Sequence, residues 1–208
     1  MDIDSPLFPT FLKLHGRRVV VVGGGPVAAS KLSSLHAAGA DLLVVAPQVC
    51  EAIRSADVVV RRKFFEPADL DGAWFVVAAA PPAVNRQVAE EAERRKIFVN
   101  AVDDPSNASA YLGGVVRREG VTLAISTDGA APALAGLLRE AIDYMLPGDL
   151  ARWQVRAREL RASWRARQVP MEARRPELLE ALNALYEARR SGERSSTVED
   201  VDQPELVK

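Results

Sequence analysis

The sequence is poor in the residues on which thiol and metal chemistry depend. One cysteine, Cys50, and two histidines, His15 and His36, occur among 208 residues. A single cysteine excludes an internal disulfide and fits a reducing cytoplasm, which is where we expect the protein. Neither histidine has an identifiable partner, and no metal-ligand spacing surrounds Cys50. We therefore predict no metal site, an inert cysteine, and structural or solvent-facing histidines.

The sequence also lacks a strong charge of either sign and a long apolar run. Its 27 basic and 28 acidic residues give a net charge of -1, whereas nucleic-acid-binding proteins usually show a basic excess. The longest apolar runs, 19–22 and 74–80, are far shorter than the ~20 residues that span a bilayer. The acidic start is typical of neither a secretory signal nor an anchor. We expect no nucleic-acid partner and no membrane association.

Strands and helices alternate through the first half of the chain. The β-branched run 19–22, closed by glycines, is typical of a strand buried on both faces of a parallel sheet. A helix over 27–38 that ends at Gly39 and a strand over 41–46 complete a β-α-β unit. Further strands are predicted at 58–63, on or near an edge, at 74–79 and at 97–102, with an amphipathic helix over 84–95. The pattern predicts an α/β fold with a Rossmann-like, doubly wound parallel sheet.

The character of the sequence changes after Ala110. Two strands are predicted at 112–117 and 121–126, and Pro132 begins a helix with an apolar face. From 150 to 190 the sequence is helical and arginine-rich, with interruptions predicted at Pro170 and Pro176. We therefore predict a small α+β region after the sheet and a helical C-terminal region. The predicted domains are 1–112, 113–149 and 150–190, followed by a disordered tail over 191–208.

A glycine-rich turn joins the first strand to the first helix. Gly23, Gly25 and Ala28 fit the pattern G-x-G-x-x-(G/A), which allows a tight turn, a close approach to a pyrophosphate and tight helix–strand packing. The helix N-terminus would add N–H donors and a partial positive charge. The acidic residue that usually ends the second strand is missing from 45–48, and no arginine stands there either. The motif predicts a dinucleotide site, with a purely structural turn as the alternative.

Two further segments could carry chemistry. Asp103 and Asp104 follow the fifth predicted strand, at the edge where open α/β sheets bind ligands, although 103–107 is equally typical of a turn. The segment 126–129 precedes the helix at Pro132 and could hold a carboxylate or phosphate. Helix capping is the simpler interpretation of that segment. The residues alone leave both alternatives open.

The order and spacing of these segments resemble the precorrin-2 dehydrogenase family, which includes the N-terminal module of siroheme synthase. The resemblance covers about 6–150. It rests on Leu7-Phe8-Pro9, the 21–28 turn, Lys31, Ala38-Gly39-Ala40, Val45-Ala46-Pro47, the region from Ala78-Ala79-Ala80 to Asn85, Asn100-Ala101-Val102-Asp103, Ala108-Ser109 and the 126–132 loop.

This resemblance implies NAD-dependent oxidation of precorrin-2 to sirohydrochlorin in siroheme biosynthesis, with Asp103 as the general acid/base. It also implies a homodimer with its interface in 113–149. The alternatives are a bifunctional enzyme that also inserts ferrous iron, as a substrate, into sirohydrochlorin, and a non-catalytic module that binds a dinucleotide or tetrapyrrole. Expected NAD contacts are Gly23, Gly24, Gly25, Pro26, Val27, Ala46, Pro47, Gln48, Ala79 and Ala80, and expected substrate contacts are Asn100, Ser126, Thr127, Arg117 and Arg139.

The sequence departs from the family pattern at three places near these sites. Asp128 stands where the family often has a glycine, and Ala131 stands where a capping hydroxyl is common. Ala110-Tyr111 replaces the more usual phenylalanine after Ser109. We expect these departures to affect substrate fit and iron insertion more than the dehydrogenase assignment.

Overall fold

Five parallel strands form one sheet in the order β3-β2-β1-β4-β5. The computed structural model describes residues 6–196. β3 lies at one edge, as predicted, and the strand order confirms the predicted Rossmann-like sheet. The strands are β1 (Arg18–Val22), β2 (Asp41–Val45), β3 (Val59–Arg61), β4 (Phe75–Ala78) and β5 (Phe98–Ala101).

One face of the sheet is covered by the first two helices, α1 (Pro26–Ala37) and α2 (Glu51–Arg54). Val19 and Val21 of β1 point to this face, where they pack with Leu32 of α1 and Ile53 of α2. Successive side chains of a strand point to opposite faces, so every second residue of β1 joins this core. The short helix α2 was not predicted, because four residues are too few to show a helical period.

The opposite face is covered by α3 (Pro82–Arg95) and by a 3₁₀ helix at Pro67–Leu70. Val20 and Val22 of β1 pack here with Val88 and Leu70. Burial of each such side chain contributes about 1.5–3 kcal/mol. Because α1 and α3 follow the adjacent strands β1 and β4 but cover opposite faces, the chain diverges at the carboxyl ends of these two strands. That divergence is where open α/β sheets bind their ligands.

A hairpin and a helix follow the sheet, as predicted. The strands β6 (Gly114–Arg118) and β7 (Val121–Ile125) form a separate two-stranded sheet, and α4 spans Pro132–Met145. The predicted apolar face of α4 is largely uncovered in the single chain, since Leu134, Leu137 and Leu138 are 48%, 65% and 40% exposed. An exposed apolar helix face of this kind marks a candidate interface.

Two long helices form the C-terminal region, α5 (Leu150–Arg167) and α6 (Met171–Ser196). The predicted break at Pro170 is confirmed, but the predicted interruption at Pro176 is wrong, because α6 continues through it. Proline has a helical φ, but inside a helix it removes an N–H donor and crowds the carbonyl four residues earlier, so other contacts must offset this cost. The adjacent Glu177 also binds α5, accepting hydrogen bonds from Trp164 Nε1 at 2.8 Å and Arg167 Nη2 at 2.6 Å.

Helix α6 also extends past the predicted end of the helical region. Residues 191–196 are helical, so the predicted disordered tail does not begin at 191, and 197–208 lie outside the described residues. A helix that is already nucleated adds residues at little further cost. Within the part of the chain that the structure describes, no helix combines the length and apolar character needed to cross a bilayer.

The chain divides into two compact units. One comprises residues up to Gly114 together with Ile125–Leu138, and the other comprises Val115–Ala124 together with the chain from Arg139 onward. The first unit therefore contains the parallel sheet and the 126–132 loop. The predicted 113–149 region is shared between the two units, and its role in dimerisation stays a prediction.

Candidate active site

The glycine-rich turn lies where β1 passes into α1, at the carboxyl edge of the sheet. Gly23 has a φ of +131°, and a Cβ at this position would overlap the carbonyl of Ala79. A Cβ on Gly24 would overlap the carbonyl of Gln48. The Cys50 N–H donates to the Gly24 carbonyl oxygen at 2.7 Å. The segments that follow β2 and β4 therefore clamp the turn and require glycine at both positions.

Gly25 is different, because nothing in the protein itself requires a glycine there. Its φ is -84°, which any residue adopts, and an added Cβ would meet no atom within 4 Å among the described residues. Gly25 is the N-cap of α1, and no side chain of the described chain caps this helix. Open space above uncapped N–H donors is what a pyrophosphate needs. The turn therefore fits a dinucleotide.

The other expected cofactor contacts follow β2 and β4. Pro47 and Gln48 are exposed beside the turn, whereas Ala46 is buried. The Ala80 N–H donates to Asn85 Oδ1 at 2.9 Å, and Asn85 is only 4% exposed. This bond fixes the segment after β4. This role of Asn85 was not predicted, because an asparagine in an amphipathic helix usually faces solvent. The available signal was its place in the first turn of a helix whose N-cap, Pro81, has no side-chain acceptor.

Asp103 follows β5, at the same carboxyl edge. It is exposed and has a φ of +56°. Its carboxylate makes no hydrogen bond or ion pair with any other residue that the structure describes. Aspartate tolerates the left-handed region better than most residues, at a cost on the order of 1 kcal/mol. A free carboxylate held at the ligand-binding edge can exchange a proton with a bound substrate.

The neighbouring carboxylate of Asp104 is engaged in its own turn. Asn107 Nδ2 donates to one of its oxygens and Ser106 Oγ to the other, each at 2.7 Å. These bonds, first from Asn107 and then from Ser106, hold the pKa of Asp104 below its usual 3.8. Asp104 therefore stabilises the 3₁₀ helix Pro105–Asn107. Among the described residues, the Asp104 carboxylate accepts two hydrogen bonds, whereas the Asp103 carboxylate accepts none.

Side-chain hydrogen bonds hold the segment that follows Asp103 along β5. Ser109 Oγ accepts a hydrogen bond from the Val99 N–H at 2.9 Å, and Asn100 Nδ2 donates to the Ala110 carbonyl oxygen at 3.0 Å. The chain thus folds back over the free edge of β5, which a sheet otherwise leaves unpaired. Asn100 has a positioning contact here, and its expected contact with substrate stays a prediction.

The 126–132 loop is braced by its own hydroxyl groups. Ser126 Oγ accepts a hydrogen bond from the Asp128 N–H at 3.1 Å, and Thr127 Oγ1 accepts one from the Ala131 N–H at 3.2 Å. Asp128 has a φ of +53°, a conformation that suits the glycine often found there in the family. The hydroxyls therefore stabilise the entry to α4, and their expected role with substrate stays a prediction.

The same loop packs against the segment that follows Asp103. A Cβ added to Gly129 would lie 3.1 Å from Tyr111 Cε1 and 3.2 Å from Pro105 Cγ. The Tyr111 hydroxyl in turn donates to the Pro105 carbonyl oxygen at 3.3 Å. Two segments that the sequence analysis singled out separately are thus brought together in the first compact unit. Tyr111, a departure from the family pattern, is the side chain between them.

The two expected substrate-binding arginines belong to the second compact unit. Arg117 is exposed on β6, and Arg139 Nη2 lies 2.9 Å from a carboxylate oxygen of Glu140. The adjacent Arg118 is engaged structurally, since it pairs with Asp143 at 2.9 Å and donates to the Leu146 carbonyl oxygen at 3.2 Å. The expected contacts of Arg117 and Arg139 with substrate stay predictions.

Comparison with known proteins agrees with this geometry. Residues 10–114 match the model of a family described as NAD(P)-binding. Siroheme synthase from Photorhabdus laumondii is 38% identical over 172 residues, which are 77% of this chain and 37% of that protein. Siroheme synthase 1 from Aeromonas salmonicida is 38% identical over 195 residues, 90% of this chain and 42% of that protein. The chain therefore spans about two fifths of the length of these relatives.

A solved structure extends the similarity over nearly the whole chain. SirC, a precorrin-2 dehydrogenase, matches with a TM-score of 0.69 and 26% identity. The match covers 93% of this chain and 98% of that one. Together with the relatives, it confirms the resemblance that the sequence motifs indicated.

Proposed function

We propose that this chain, which belongs to the NAD(P)-binding family that includes precorrin-2 dehydrogenase and siroheme synthase, oxidises precorrin-2 to sirohydrochlorin. The reaction would use NAD and serve siroheme biosynthesis in the cytoplasm. One observation carries the proposal: the glycine turn after β1 and the free carboxylate of Asp103 after β5 lie on one edge of the sheet. Only β4 separates these two strands.

The cofactor half of the proposed site consists of backbone groups. The N–H donors at the start of α1 would hold the pyrophosphate in the open space above Gly25. The segment 46–48 would border the adenosine, and Ala79 and Ala80, after β4, would line the path towards Asp103. A bound nicotinamide supplies the hydride acceptor, which no amino-acid side chain provides.

The chemical half of the proposed site is Asp103. Oxidation removes one hydride and one proton from the substrate, and the hydride passes to the nicotinamide. The free carboxylate of Asp103 would accept the proton. Asp104 is a poor substitute because both of its oxygens already accept hydrogen bonds. The polar groups of Asn100, Ser126 and Thr127 would contact the substrate. Arg117 and Arg139 are proposed as substrate contacts because guanidinium groups bind carboxylates.

Replacement of Asp103 tests this assignment directly. In the Asp103→Asn variant we expect turnover of precorrin-2, followed by absorbance under anaerobic conditions, to fall about 10²–10⁴-fold. The dissociation constant for NAD, measured by calorimetry, should stay within about two-fold, because the turn is unchanged. The Asp104→Asn variant is the matched control and should keep most of the turnover. Unchanged turnover in Asp103→Asn contradicts the proposal, and NAD binding without any conversion by the wild type indicates a non-catalytic module.

Insertion of ferrous iron into sirohydrochlorin is a second candidate function. The free carboxylate of Asp103 favours it, since the same group could accept protons from pyrrole nitrogens as the metal enters. Incubation of the protein with sirohydrochlorin and ferrous iron, without NAD, tests this activity. A rate no higher than that of the uncatalysed reaction rejects it.

The quaternary structure that we propose is a homodimer. The exposed leucines of α4 support it, because a contiguous apolar helix face in water favours association. Light scattering in solution should give twice the mass of the chain. A mass equal to that of one chain contradicts the proposal.

A further inference from the structure

Parallel pairing brings a basic segment beside the expected adenosine site. Val45 of β2 lies opposite Arg61 of β3, and the Ala46 N–H donates to the Arg61 carbonyl oxygen at 3.2 Å. The residues that leave β3 therefore run beside the segment 46–48. That segment also reaches the phosphate-binding turn, because the Gln48 carbonyl lies against Gly24. Arg62 is the first residue after β3 and is exposed.

The two basic neighbours of Arg62, Arg61 and Lys63, already form ion pairs with carboxylates. Arg61 Nη1 lies 3.3 Å from Asp69 Oδ1, and Lys63 Nζ lies 3.1 Å from Asp69 Oδ2 and 2.9 Å from Glu66 Oε2. Asp69 is 1% exposed, and burial alone would raise its pKa. Hydrogen bonds from the Glu66 N–H and from Lys63 and Arg61 outweigh burial and hold the pKa of Asp69 below 3.8. Asp69 therefore remains ionised at neutral pH and retains both cations.

Arg62 itself has no such partner. Among residues 6–196, no side chain or carbonyl forms a hydrogen bond or an ion pair with its guanidinium group. The neighbouring segment 46–48 contains no carboxylate. In dinucleotide-binding folds, a carboxylate at the end of the second strand binds the ribose 2′-hydroxyl, whereas a nearby arginine accommodates a 2′-phosphate. Guanidinium groups bind phosphate through paired, charge-assisted hydrogen bonds.

We infer that the site accepts NADP as well as NAD, and that Arg62 is the specificity-determining residue that holds the 2′-phosphate. The inference rests on the proposed dinucleotide site and adds to it a choice between two cofactors. Arg62 acts here on cofactor affinity alone, since it lies at the adenosine end, where two strands separate β3 from β4 and three separate it from β5.

Calorimetry on the full chain, with NADP and NAD titrated separately, tests the inference. We expect Arg62→Ala to raise the dissociation constant for NADP about ten-fold or more and to change that for NAD less than about two-fold. Arg165→Ala is the matched control, because Arg165 is also exposed and also makes no hydrogen bond or ion pair among the described residues. That control should change neither constant. Gln48→Glu supplies the missing carboxylate and should weaken NADP binding selectively.

The outcomes separate this inference from the proposed function. If the wild type binds NAD but binds NADP more than about a hundred-fold more weakly, the inference is overturned and the dehydrogenase assignment stands. An equal loss of both cofactors in Arg62→Ala also overturns it, because the side chain would then act on a feature that the two cofactors share. If neither dinucleotide binds the wild type, the proposed function itself fails. Selective loss of NADP in Arg62→Ala, with thermal stability unchanged, supports the inference.

Discussion

The glycine turn and the Asp103 loop lie on the same edge of the sheet but are held in different ways. Backbone packing holds the turn, since the carbonyls of Ala79 and Gln48 occupy the space where side chains of residues 23 and 24 would be. Side-chain hydrogen bonds hold the loop: Ser109 Oγ accepts one from the Val99 N–H, and Asn107 Nδ2 donates one to Asp104. The comparison shows that positions 23 and 24 of the turn leave no room for a side chain, whereas the loop depends on several hydrogen bonds of modest strength.

This difference has energetic consequences. Forcing an extra carbon into a packed backbone costs about 1–3 kcal/mol and sometimes more, because the backbone must move. Removing one hydrogen bond from a partly exposed loop costs about 0.5–1.5 kcal/mol. Substitutions at Gly23 and Gly24 should therefore lower the free energy of unfolding more than removal of any single hydrogen bond in the loop.

The largest effect is expected from Gly24→Ala. The new Cβ overlaps the Gln48 carbonyl, so the free energy of unfolding should fall by about 3 kcal/mol, and dinucleotide binding should be lost. Gly25→Ala is the matched control, because its Cβ enters open space. That variant should keep its stability within about 1 kcal/mol and bind NAD about ten-fold more weakly. Denaturant unfolding measures the stability of the two variants, and calorimetry measures their affinity for NAD. Equal destabilisation of the two variants would contradict the expected difference in backbone packing at Gly24 and Gly25.

A smaller effect is expected from Asp104→Asn. Loss of the charge that accepts hydrogen bonds from Asn107 and Ser106 should lower the free energy of unfolding by about 1 kcal/mol at neutral pH. Because the pKa of Asp104 in the folded protein lies below 3.8, this contribution is present above that pH and is lost as the pH falls through the folded-state value. Unfolding titrations at a series of pH values check it. A stability difference between wild type and variant that stays constant from pH 6 to pH 3 contradicts the assignment.

The smallest effect is expected from Tyr111→Phe. The change removes the hydroxyl that donates to the Pro105 carbonyl oxygen but keeps the ring against Gly129. The free energy of unfolding should fall by about 0.5 kcal/mol. If Tyr111 positions the Asp103 loop, kcat for precorrin-2 should fall a few-fold while the dissociation constant for NAD stays constant. An unchanged kcat would limit the role of the hydroxyl to stability.

Much of the fold could be predicted because its signals are local. The run of valines in β1, the helical spacing of Leu32 and Leu35, and the proline at the start of α4 each act within a few residues of the chain. The error at Pro176 has a non-local cause, since contacts of the adjacent Glu177 with α5 hold the helix together there. Local propensity was overridden by packing.

The candidate site was less predictable than the fold. The glycine motif and Asp103 could be found from spacing and from a family resemblance. The resemblance favours Asp103 over Asp104, but the residues alone do not distinguish them, because both lie in one turn-forming stretch; the structure adds that both Asp104 oxygens accept hydrogen bonds. Asn85 was missed because its role depends on the turn between β4 and α3, which brings its side chain to the Ala80 N–H.

The sequence by itself determined the order of strands and helices, the glycines at 23 and 24, and a carboxylate after β5, because each depends on neighbouring residues. Only the tertiary structure decided what lies beside the expected adenosine site. The 45–48 stretch alone contains neither the usual carboxylate nor an arginine. Parallel pairing of β2 with β3 places Arg62 there, which has no hydrogen-bond or ion-pair partner among residues 6–196, and Asp69 pairs with its two basic neighbours, Arg61 and Lys63. Strand pairing joins residues that are distant in the chain, so no local pattern encodes it.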